Sequence, residues 1–136
     1  MNVKELWAYA DAKRHLRMIR QNLYEFESNI YSPPGANTSG MPIEHGTENN
    51  DKLAAVIEKH QVLLAAEYNA VLKAVDAYDL LERFANTLSN DEQDVLYARY
   101  REGLTIRNME QKLRRSESTL NRTLKRVKRK FEKFES

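Results

Sequence analysis

The chain contains no cysteine, which removes disulfide staples and thiolate metal sites from the devices available to it. Four glycines and three prolines in 136 residues are too little turn punctuation for many short strands. The strong helix formers Ala, Leu, Glu, Lys, Arg and Gln fill the space instead, and the composition predicts an all-α fold. No apolar run approaches the ~20 residues that span a bilayer, and Met1-Asn2-Val3-Lys4-Glu5-Leu6 lacks the continuous apolar stretch of an export signal. A soluble protein with no membrane partner is the expectation, and the absence of cysteine agrees with the cytoplasm. His15, His45 and His60 are isolated and show no metal-ligand spacing, so no metal is expected. Glu25 and Glu27 only flank Phe26 as the solvated border of an apolar stripe, and no activated nucleophile or glycine-rich phosphate loop is visible. No catalytic residue, no cofactor and no enzyme activity are expected.

The net charge of +2 conceals a strong asymmetry. Residues 101–136 carry twelve basic and five acidic side chains, whereas the first hundred residues carry ten and fifteen. A basic end on an otherwise acidic chain points to a polyanion held at that end alone.

Apolar spacing divides the chain. Ala12, Leu16, Ile19, Leu23, Phe26 and Ile30 recur at steps of four and three, which predicts one helix over residues 3–31. Tyr31-Ser32-Pro33-Pro34-Gly35 stops it, and Ser32 to Asn50 reads as a mobile linker. A second long helix is expected over 51–88, from Leu53 and Ile57 through Leu64, Val71, Val75, Tyr78, Leu81 and Phe84 to Leu88, with an apolar face too broad for a single two-stranded seam. Residues 1–88 are therefore expected to form a two-helix hairpin or coiled coil for dimerisation or other interaction. Residues 89–136 are expected to form a separate module.

Ser89 with Glu92 has the capping-box spacing that opens a new helix. Val95, Leu96 and Tyr100 face its core, and Gly103 supplies a left-handed stop. Thr105 caps a short helix with Ile106, Met109 and Leu113 on one stripe, Arg114-Arg115 form the turn, and Ser116 caps the last helix. There Leu120, Leu124, Val127, Phe131 and Phe134 make the core face, leaving a basic face opposite. Two short helices across a tight turn, the second loaded with Arg and Lys, have the layout of a helix-turn-helix on double-stranded DNA. Ser118, Asn121 and Arg122 are the expected base readers, since Arg pairs bidentately with guanine and Asn with adenine. Thr105, Arg107, Lys112, Arg115, Ser116, Lys125, Arg126 and Arg129 are the expected phosphate contacts, which fix position without reading sequence.

The run Leu88, Glu92, Val95-Leu96, Arg99-Tyr100, Gly103-Leu104-Thr105, Met109, Leu113, Ser116, Thr119-Leu120, Leu124, Arg126-Val127 and Phe131 resembles region four of bacterial sigma factors, which recognises the promoter −35 element. Glu110 stands where that family usually has a small Ala, and Arg114 where a Gly often makes the turn; a bulky residue in left-handed geometry costs about 1 kcal/mol. Taken with its two long helices and its linker, the whole chain resembles the small phage transcriptional activators of the RinA and ArpU type. That resemblance implies a late-gene activator in the cytoplasm of a bacterial host cell, and the charge split leads to the expectation that the acidic helical part recruits host RNA polymerase. A homodimer is expected, because paired modules gain affinity on half-sites one DNA turn apart.

Two other readings use the same residues. In one, the module binds RNA polymerase or another regulator without DNA readout, and charge reversal at Arg122 and Lys125 separates it from the first. In the other, the chain is a small DNA-packaging recognition subunit; the position of the module at the carboxy end weighs against it.

Overall fold

Asn2 opens the first ordered turn, its side-chain oxygen accepting from the Lys4 amide at 3.0 Å. The computed structural model describes residues 1–30 and 47–135, and among these every regular element is helical. A tight 3-10 turn, Val3–Trp7, runs into α1, Ala8–Ile30, and α2 follows as Thr47–Ala85. Then come α3, Asn90–Leu96, a π-helical turn, Tyr97–Arg101, α4, Ile106–Leu113, and α5, Glu117–Glu132. The chain is all α, with long helices first and a helix-turn-helix region last. The expected linker over 32–50 falls mostly outside the described residues, and α2 already begins at Thr47, ahead of Asp51.

The described chain divides into two compact units, His15–Val71 and Met1–Arg14 with Leu72–Ser136. Within the first, Arg20 meets Glu67 at 3.5 Å and His60 meets Glu27 at 3.1 Å. Seven residues forward on α1 answer seven backward on α2, so the two stretches run antiparallel. The α1 stripe predicted from Leu16 to Ile30 is covered to at least an intermediate degree at every position. Among the described residues of this unit Leu23 and Ala70 are the buried apolar ones, and Met18, Tyr24, Leu53, Ile57, Val62, Leu64 and Tyr68 stay exposed.

The second unit has a denser core. Phe84 meets Phe131 edge-on at 4.9 Å, and Val95, Met109, Leu120 and Val127 around them have no exposed surface. Leu6, from the first turn of the chain, is 1% exposed in that core, and Trp7 packs edge-on against Tyr100 at 4.7 Å. This unit starts at Leu72, upstream of Ser89, and takes in the chain's first fourteen residues. Short-range spacing carries no information about contacts between residues so far apart in sequence.

Two element ends differ from expectation for local reasons. The second long helix stops at Ala85, not at Leu88, because its last turn tightens: Thr87 and Leu88 donate their amides to Phe84 and Ala85 at 2.9 and 3.0 Å. The Gln93 side chain also donates to the Ala85 carbonyl at 2.7 Å, a second bond at the helix end. The helix expected to reach Arg101 gives way after Leu96 to a wider turn, closed by the Glu102 amide on the Tyr97 carbonyl at 2.9 Å. In that turn the Arg101 guanidinium lies 4.0 Å from the Tyr97 ring centroid and 3.7 Å from Glu82, which ties the turn to α2 within the same unit.

Candidate nucleic-acid interface

Each cap read from the sequence is present. Ser89 and Glu92 exchange bonds as a reciprocal capping box, Thr105 accepts from the Asn108 amide at 3.2 Å, and Ser116 accepts from the Thr119 amide at 3.3 Å. Gly103 has φ +74°, in the left-handed region that ends helices. Arg114 adopts φ 54° and ψ 45° between α4 and α5, so the turn forms with a side chain in the strained position. Glu110 keeps intermediate exposure, with its edge in solvent.

The core face of α5 is the predicted one, with Leu120, Leu124, Val127 and Phe131 buried and Phe134 half-buried just past the helix end. Thr123 joins them, 3% exposed. Its hydroxyl donates to the Thr119 carbonyl at 3.0 Å and receives Arg126 at 3.3 Å. Sequence reasoning passed over this residue because a β-branched polar side chain at a core position gives no periodicity signal. The Thr-to-carbonyl bond is what lets it be buried.

The opposite face is open and basic. Arg122, Lys125, Arg126 and Arg129 line a shallow depression of about 500 Å³ together with Thr119 and Thr123, so α5 gathers four of the expected DNA contacts in one place. Ser118 and Asn121 are exposed on the same helix. The Arg122 Nε group donates to the Ser118 carbonyl at 3.4 Å, which lays its side chain along the helix surface and leaves the rest of the guanidinium outward. Thr105, Arg107 and Lys112 are exposed on α4 or at its cap.

Arg115, Lys112 and Lys130, like Arg101, are committed within the fold. Arg115 donates to the Asp91 carboxylate at 3.0 Å, to the Asp91 carbonyl at 3.2 Å and to Asp94 at 3.5 Å, bracing the turn onto α3. Lys112 pairs with Glu102. Lys130 reaches the buried Glu92 at 2.7 Å. Burial pushes the Glu92 carboxyl up, but bonds from Lys130 and from the Ser89 amide and hydroxyl, with the Lys130 charge, hold it below its ordinary value. Its second oxygen has no partner among the described residues.

A polar helix face with Arg and Lys at successive turns, carried on a capped two-helix unit, defines a DNA-binding helix-turn-helix. Residues 78–131 match the family described as Sigma-70, region 4. The match begins at Tyr78, upstream of the run legible from Leu88, as the packing of Leu81, Phe84 and Ala85 into the module's core requires. No curated protein and no solved structure matches the chain. The chain carries a sigma-factor-like helix-turn-helix, which points to DNA-binding regulation of transcription and away from an enzymatic role. No helix among the described residues is long and apolar enough to cross a membrane.

Proposed function

We propose that this protein is a sequence-specific, homodimeric transcriptional regulator that activates phage late genes at a promoter, in contact with host RNA polymerase. The observation that carries the reading is the basic depression on α5, built from Arg122, Lys125, Arg126 and Arg129 inside the stretch similar to sigma-70 region 4. Ser118, Asn121 and Arg122 read bases. Arg107, Lys125, Arg126 and Arg129 hold phosphates, while Thr105 and Ser116 present the amino ends of α4 and α5 to the backbone. Arg115 braces the turn through Asp91 and Asp94 more than it supplies free charge. The long helices pair two copies, and the acidic amino-terminal part meets polymerase.

The test is binding of the full-length protein to duplexes tiled across its own genomic neighbourhood, against scrambled duplex, over a salt series. Tight binding to one tile that survives added salt supports the reading and supplies the operator. Weak binding, equal on all tiles and lost with salt, leaves phosphate attraction alone and refutes sequence-specific readout.

A further inference from the structure

The described residues of the unit His15–Val71 bury little apolar surface. Leu23 and Ala70 are the buried apolar ones among them, whereas Leu53, Ile57, Leu64 and Tyr68 on α2 are 59%, 46%, 43% and 64% exposed. At about 100° per residue these four fall within an arc of about 60°. Ala54, Gln61 and Ala65, all exposed, extend it to about 120°. From Leu53 to Tyr68 no charged residue enters this arc; Glu58, Lys59 and Glu67 lie outside it. The four large side chains leave roughly 400 Å² of apolar surface in one stripe, the size of the largest patch on a typical monomer, which is often a functional one. Two such faces, with Ala54, Gln61 and Ala65 included, come to roughly 1,200 Å², the lower edge of a specific interface.

The order of residues on this face says what covers it. Seven positions before Gln61 stands Ala54 and seven after stands Tyr68; four before stands Ile57 and four after stands Ala65. About Gln61, Ile57 and Tyr68 therefore answer small residues, while Leu64 and Leu53 stand at the positions of Glu58 and Asn69, on the flanks of the contact. Two copies of the face laid antiparallel with Gln61 at the two-fold axis set Tyr68 over Ala54 and Ile57 over Ala65. A parallel pair sets each residue against its own copy, Tyr68 against Tyr68 and Ala54 against Ala54, and loses that large-on-small match. Gln61 is the polar residue of the stripe, and its amide both donates and accepts, so two copies at an axis satisfy each other. A single polar residue in an apolar seam fixes register in the same way.

We infer that the uncharged face of α2 from Leu53 to Tyr68 is the seat of a second copy of this chain, paired antiparallel about Gln61. The inference deepens the reading of the protein as a dimeric regulator and rests on it for the presence of two copies.

The absence of cysteine makes single-thiol variants of the full-length chain clean probes. With a short bismaleimide, Gln61→Cys is expected to form covalent dimer at least about ten times faster than Leu53→Cys or Tyr68→Cys alone. A mixture of Ala54→Cys and Tyr68→Cys is expected to couple across the pair. In sedimentation, Ile57→Asp is expected to weaken self-association at least about tenfold with helicity unchanged in circular dichroism. Equal coupling of Leu53→Cys, Ile57→Cys and Leu64→Cys to themselves indicates a parallel pair and overturns the proposal. A monomeric protein at micromolar concentration, or a dimer indifferent to Ile57→Asp, overturns it as well. Arg122→Glu separates this from the DNA reading: Gln61→Cys coupling with no operator binding by the parent chain refutes the DNA reading alone, while operator binding that Arg122→Glu abolishes, with no Gln61→Cys coupling, refutes the α2 face alone.

Discussion

Replacing Leu6 by Ala tests whether the first turn of the chain belongs to the helix-turn-helix module. Leu6 is 1% exposed among the module's core residues, and Trp7 beside it packs on Tyr100 at 4.7 Å with the Arg99 guanidinium 5.1 Å from its ring centroid. A buried Leu→Ala change costs about 2–5 kcal/mol through lost transfer energy and the cavity left behind. A terminal segment closes part of that cavity by shifting, which places Leu6→Ala at about 2–3 kcal/mol. In a unit of this size each kcal/mol moves Tm by about 4–8 °C, so a fall of about 10–20 °C is expected. The assay is thermal unfolding followed by far-ultraviolet circular dichroism and by emission of Trp7, the chain's single tryptophan, with the exposed Lys4→Ala as control. Both signals are expected to move together in Leu6→Ala and to stay near the parent in Lys4→Ala. A shift in Leu6→Ala within about 0.5 kcal/mol of the control, or Trp7 emission changing well before helix is lost, refutes the placement of this turn in the core.

Three further outcomes follow from local geometry. Glu92→Gln keeps a capping-box side chain but loses the charge that Lys130 meets, and is expected to cost about 1–2 kcal/mol at neutral pH. Because the Glu92 carboxyl is held below its ordinary value, that stabilisation is present above the ordinary carboxylate range and is lost as pH falls through the lower folded-state value; denaturant midpoints of parent and variant should therefore converge in acid, and a gap that widens there contradicts the pairing. Arg114→Gly relieves a left-handed side chain at φ 54° and is expected to stabilise by up to about 1 kcal/mol, whereas Gly103→Ala, at φ +74° with open space around the added carbon, is expected to lose about 1 kcal/mol from backbone strain alone, both read in urea unfolding. In DNA titrations over salt, Lys125→Ala is expected to lower the slope of log K against log salt by about 0.9, while Arg115→Ala leaves the slope unchanged and lowers stability instead; equal slopes for the two variants refute the division of roles.

The sequence by itself determined the local grammar of the carboxy-terminal module. Ser89, Gly103, Thr105 and Ser116 stand where their caps and left-handed turn form, and the stripe from Leu120 to Phe131 is the buried one. These are short-range effects, set by hydrogen-bonding groups and spacing within a turn or two of the residue concerned. The sequence also set the charge asymmetry and the all-α class. Tertiary structure alone decided which basic residues are spent inside the fold. Arg115 and Arg122 look equivalent as letters, yet Asp91 and Asp94 hold the first, while the second lines the open depression. It also decided that Leu6 and the end of α2 complete the core built by α3, α4 and α5. The physical reason is common to both: burial and ion pairing depend on which surfaces meet, and residues distant in sequence meet only when the chain is folded.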